Sequence, residues 1–75
     1  MIERFLRYSL ENQKKIQAVF LEDGKITRRQ MLVTGIDEAA QTFSFRFAGR
    51  KREAQLPMDA LLTADYARGD HGDLE

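Results

Sequence analysis

The stretch Phe43-Ser-Phe-Arg-Phe-Ala-Gly-Arg-Lys-Arg52 decides how this chain is read. It places phenylalanine at every second position, meets a glycine, and continues into three consecutive cations. Side chains along a strand alternate between faces, so Phe43, Phe45 and Phe47 share one face, while Ser44, Arg46 and Ala48 share the other. Two uses of such a face compete. The rings fill a core, each contributing about 1.5–3 kcal/mol on burial, or they form a platform on which unpaired bases stack for about 1–3 kcal/mol each. The chain has 75 residues, 5 Phe, 2 Tyr and no Trp, so its supply of large apolar groups is small. A chain of this size needs those rings inside. The spacing therefore predicts a core strand, with Arg46 and the turn cations left to meet a partner.

Working outward, Gly49 and Arg50 read as a turn and Lys51–Leu56 as the returning strand. Pro57-Met58-Asp59 interrupts the ladder, because proline lacks the N–H donor and fixes φ, and predicts a single helical turn. Residues 60–66 follow as a further strand. On the N-terminal side, Ile16–Leu21 is a short β-capable run, and Glu22-Asp23-Gly24-Lys25 contains an Asp-Gly pair suited to a hairpin turn. The second arm, Ile26–Ile36, carries Gly35 near its end, where a bulge or sharp bend is expected. Asp37–Gln41 forms the next connection. Ile2, Phe5, Leu6, Ser9 and Leu10 fall on one face of a helix over about residues 2–12. A helix of three turns is marginal by itself in water, so its apolar face must cover the strands.

The expected fold is mostly β: an N-terminal α-helix followed by a five-stranded SH3-like or Sm-like small barrel, in one domain over residues 1–66. Residues 67–75 are polar and glycine-bearing and are expected to form a disordered tail. Its last pair, Leu74-Glu75, has the look of a cloning scar ahead of a purification tag.

No cysteine is present, so neither disulfides nor thiolate chemistry support the fold. No apolar run is long enough to span a bilayer, and the N-terminal residues carry charges of both signs where a secretory signal would be apolar. A cytoplasmic protein with no membrane association is expected. The formal charge balances, 12 cations against 12 carboxylates, but unevenly along the chain. Between Gln13 and Arg52 nine cations face four carboxylates; from Glu53 onward Arg68 alone faces six. A basic middle thus meets an acidic end.

Three segments resemble the WYL domain, an Sm-like barrel of bacterial transcription regulators and of proteins linked to phage defence. LRYSLENQKKIQAVFLEDGKITRRQMLV (residues 6–33) is similar to the family's opening helix, basic step and first two strands. Phe43-Ser44-Phe45 stands where the family has its Trp-Tyr-Leu signature, and LPMDALLTADY (residues 56–66) is similar to its closing stretch. Serine and phenylalanine replace the signature's tyrosine and leucine, and Ala54 stands at the place of a family arginine. The resemblance implies a sensor of a ligand or nucleic acid with an effect on transcription.

Arg28, Arg29, Arg46, Arg50, Lys51 and Arg52, with Lys14 and Lys15 nearby, are the candidate binding residues for a nucleotide or single-stranded nucleic acid. Guanidinium groups suit phosphates because they present a planar fork of donors. Two other uses of these charges stand beside that one: pairing with Glu22, Asp37 or Glu38 at a solvated hairpin tip, and covering by the acidic tail. The alternative function is a protein-interaction or self-association module that docks a partner, or a second copy, by strand addition at an open edge.

Enzyme chemistry is not expected. The single histidine, His71, is near the C-terminus, and Ser9 and Ser44 lie on a helix and a strand with no base nearby. No cofactor or metal is expected, because His71 with Asp70 and Asp73 lacks a preorganised ligand set. The tripeptide Arg68-Gly69-Asp70 matches an adhesion motif too short to carry weight.

Overall fold

A computed structural model of the chain describes residues 2–67. Helix α1 (Ile2–Asn12) leads into strands β1 (Ile16–Glu22), β2 (Lys25–Asp37), β3 (Thr42–Phe47) and β4 (Glu53–Pro57). A 3-10 turn, Met58–Ala60, then joins β4 to β5 (Leu61–Tyr66). All pairings are antiparallel, and the five strands form one sheet in the order β4-β3-β2-β1-β5. The expected disordered tail lies outside the described residues from position 68 onward, together with the Asp70–His71–Asp73 group and Arg68-Gly69-Asp70.

The hairpin between β1 and β2 turns on Asp23 and Gly24, both at positive φ (53° and 78°), the conformation that matches a two-residue turn to the twist of its strands. The long β2 serves two neighbours. Its first half pairs with β1 up to Ile16 opposite Met31, and its second half pairs with β3 from Met31 opposite Phe47. The register slips between Val33 and Gly35, the bulge anticipated from the glycine. A second slip separates Val19 from Phe20 against β5.

The sheet is not a closed barrel, in contrast to the expectation: β4 and β5 are its two edges and are not paired with each other. It is nevertheless strongly coiled. Across a flat five-stranded sheet those edges would stand about 19 Å apart, whereas three residues of 3-10 helix rise only about 6 Å. The link at Met58–Ala60 therefore forces the edges together at one corner, and Met58 N–H donates to the Gln41 carbonyl at 2.8 Å to hold it. Closure fails at the other end, where β4 is mostly exposed from Glu53 to Gln55.

The concave face carries the core: Ile16, Ala18 and Phe20 from β1, Met31 and Val33 from β2, Phe43 and Phe45 from β3, Leu61 and Ala64 from β5, and Leu6 from α1. Phe43 and Phe45 are 1% and 2% exposed, which removes them from any stacking platform. Phe47 is half-buried, with its ring stacked 6.0 Å from that of Phe20.

Helix α1 covers what β1 is too short to reach. Beyond Met31 the edge of β2 has no β1 partner, and there the Val33 N–H donates to the fully buried Ser9 hydroxyl at 2.9 Å. The serine on the helix's apolar face thus satisfies a backbone donor that would otherwise be orphaned. The helix ends in a Schellman-type cap. Gln13 adopts φ 54°, and Lys14 N–H donates to the Ser9 carbonyl at 3.3 Å. It also packs on β5, where Phe5 and Tyr8 each meet the Tyr66 ring edge-on at 5.0 Å.

Candidate anion-binding site

Alternation divides the cations before any ligand is considered. On β2, Arg29 lies opposite Ala18 and so faces the concave side, whereas Arg28 lies opposite Val19 on the convex side. On β3, Arg46 points to the convex side and Phe47 to the concave one. The basic residues therefore do not form one sheet of charge. They gather around the end of β3.

The concave group is built on Phe47. Because Met31 pairs with Phe47, Arg29 occupies the diagonal position two residues earlier on β2, within reach of the ring. Its guanidinium carbon stands 3.6 Å from the ring centroid. This is a face-on cation–π contact, worth about 0.5–2 kcal/mol depending on solvent access. The turn after β3 brings the second cation: Arg50 N–H donates to the Phe47 carbonyl at 2.9 Å, with Gly49 at φ 78°. Arg52 arrives where the chain enters β4. Arg29, Phe47, Arg50, Arg52 and Ala54 line a pocket of about 260 Å³. The small Ala54 side chain, opposite Phe45 in the register, leaves this end of β4 open.

No carboxylate among the described residues pairs with Arg29, Arg50 or Arg52. Glu38, one of the partners considered from the sequence, pairs with Arg7, which also holds Glu3 at 3.0 Å. Three guanidinium groups around one pocket repel one another, and their charge is left available to an anion. The acidic segment beyond residue 67, which the sequence offers as a cover for these cations, lies outside the described residues.

The remaining candidates sit elsewhere. Arg46 and Arg50 line a neighbouring cleft of about 210 Å³ with Lys15, Leu32, Phe47, Ala48 and Gly49. Lys51 is exposed in the turn and lines neither pocket, and Arg28 is exposed on the convex face. Ala54, which the resemblance puts at the place of a family arginine, lines the pocket without a charge; the role of Phe47 as a guanidinium platform is visible only from the register of β2 against β3. Among the described residues, no three histidine, cysteine or carboxylate side chains gather as a metal site, and no helix is long and apolar enough to cross a membrane.

No family model matches this sequence, and neither a curated protein nor a solved structure does so.

Proposed function

We propose that this chain is a non-catalytic, cytoplasmic binding module for the phosphates of a nucleotide or single-stranded nucleic acid, with a regulatory role of the kind the WYL resemblance implies. One observation carries the reading: Arg29, Arg50 and Arg52 converge, without carboxylate partners among the described residues, on a pocket whose floor holds the Arg29 guanidinium flat against Phe47. A guanidinium stacked on one side keeps its N–H edge free for bidentate contact with phosphate and its outer face free for a base. The core rings are too buried to stack bases, so the planar surface on offer is the arginine.

The test is a fluorescence-polarisation titration with labelled single-stranded DNA and RNA at low and near-physiological salt. Saturable binding that weakens as salt rises, with a slope of about −0.7 per phosphate contact on a log–log plot, is the expected result. Arg50→Glu with Arg52→Glu should abolish it. Binding that ignores salt, or none at either salt, overturns the reading.

A second reading rests on a different face. Leu21 and Ile26 are directly opposed on the convex side of the first hairpin and are 57% and 72% exposed, and Leu62 on the edge strand β5 is 49% exposed. An apolar group of this kind beside an open strand edge suits a protein partner or a second copy. Under that reading association survives Arg50→Glu and is lost in Ile26→Lys, as read by sedimentation velocity.

A further inference from the structure

The cleft on the convex side of β3 contains a feature that the concave pocket lacks. Arg46 Nε is buried and has no hydrogen-bond partner among the described residues. Its cross-strand neighbour Glu53 would be the natural acceptor, yet the Glu53 carboxylate instead accepts the Thr34 hydroxyl at 2.7 Å. A buried donor without an acceptor costs the fold the full desolvation of that group, and such donors call for an explanation. Arg46, Lys15 and Arg50 border one cleft, so the ligand that fits the cleft is an anion, and it meets Nε itself only when the Arg46 side chain turns outward.

Two pockets, one on each side of β3, thus share Phe47 and Arg50. Arg46 and Phe47 are consecutive and project to opposite faces, so a ligand serving both must pass around the turn at Ala48-Gly49. Gly49 keeps that passage low: it has no side chain, and even a Cβ placed there would meet nothing within 4 Å.

We infer that the basic surface is built for two phosphates held on either side of Arg50: one by Arg29 and Arg52, the second by the Arg46 guanidinium and Lys15. The ligand is then a single strand of nucleic acid spanning at least one internal phosphodiester, and not a mononucleotide or a lone phosphate. This rests on the proposed function and adds to it the minimum length of the ligand and a role for Lys15. Tethering makes the second contact intramolecular, so affinity should rise steeply at the length that first reaches both subsites.

The experiment titrates the protein with thymidine 5′-monophosphate, the dinucleotide pTpT and the corresponding tetranucleotide, following backbone amides and arginine Nε–Hε signals by NMR. The mononucleotide should move the Arg29 and Arg52 signals. The dinucleotide should also move Arg46 Nε–Hε and bind at least about tenfold more tightly. In Lys15→Gln and Arg46→Gln that step should vanish, with mononucleotide affinity held within about twofold. Lys15 is exposed, so its variant keeps the test valid should Arg46→Gln fail to fold. A dinucleotide that binds no better than the mononucleotide, or an Arg46 signal that no length moves, overturns the two-phosphate arrangement while leaving the concave pocket standing. Absence of binding at every length overturns both.

Discussion

The Arg29 guanidinium lies face-on to the Phe47 ring, its carbon 3.6 Å from the centroid, and the two residues come from adjacent strands joined by the Met31–Phe47 pairing. This contact converts a core aromatic at the mouth of the sheet into a support for a charged group. Phe20, stacked on Phe47 with ring centroids 6.0 Å apart, holds the ring in place from within the core. Packing of Phe47 against the core thereby sets the aim of the cation it supports.

Replacing that cation by a different one tests the geometry separately from the charge. Arg29→Lys keeps the charge but loses the plane and the fork, and should weaken oligonucleotide binding by about tenfold, or 1.4 kcal/mol. Thermal stability should change little, since the contact is only half-buried. Phe47→Leu should weaken binding in the same direction by releasing the guanidinium. Polarisation titrations of the two variants beside the parent protein check both, and undiminished affinity in Arg29→Lys would mean that charge alone suffices.

Ser9 makes the sharpest stability prediction. Its hydroxyl accepts the Val33 N–H in a fully buried position next to the β2 bulge. In Ser9→Ala the helix propensity improves, but the amide is orphaned at a cost of about 1–3 kcal/mol. The net loss should lower Tm by about 10 °C for a chain this small. Hydrogen exchange at Val33 should accelerate more than at the neighbouring core amides, and an unchanged Tm would show that water or a shifted helix takes over the bond.

How far these features can be read from the sequence depends on their range. The helix from residue 2, the Asp23-Gly24 turn, the Gly35 bulge and the helical turn after Pro57 are local, and each follows from periodicity or a backbone preference. Failure of β4 and β5 to pair is not local: it depends on how far the coiled sheet brings its edges together, and no nearby residue encodes it. The same holds for the site. Arg50-Lys51-Arg52 looks like one cluster in the sequence, but only Arg50 and Arg52 line the concave pocket, joined by Arg29 from a strand about twenty residues earlier. Ser9 reads as a helical-face residue, and its bond to Val33 appears only once β1 is known to begin at Ile16, opposite Met31.

Gln13 offers a prediction of opposite sign. It occupies the left-handed C′ position of the α1 cap, at φ 54°, where glycine bears no Cβ penalty. Its side chain is exposed, so little packing is lost on replacement. Gln13→Gly should stabilise the protein by about 0.5–1 kcal/mol. Denaturant unfolding reads this as a higher midpoint with an unchanged slope; a lower midpoint would show that the Gln13 side chain contributes more than the strain costs.

The turn that carries Arg50 links backbone strain to binding. Gly49 sits at φ 78°, and a Cβ there meets open space, so Gly49→Ala has no steric clash and only a conformational penalty. That penalty is about 1 kcal/mol if the turn keeps its shape. If the turn instead relaxes, the Arg50 N–H to Phe47 carbonyl bond at 2.9 Å is lost, and Arg50 swings away from the two pockets it borders. Asparagine tolerates the left-handed region better than alanine, so Gly49→Asn should restore both stability and binding toward the parent values. The expected pattern is a lower Tm and weaker oligonucleotide binding in Gly49→Ala, with recovery of both in Gly49→Asn. Recovery of stability without recovery of binding would mean that the added side chain itself obstructs the passage between the pockets. Binding equal to the parent in both variants would show that Arg50 does not need this turn to reach its ligand.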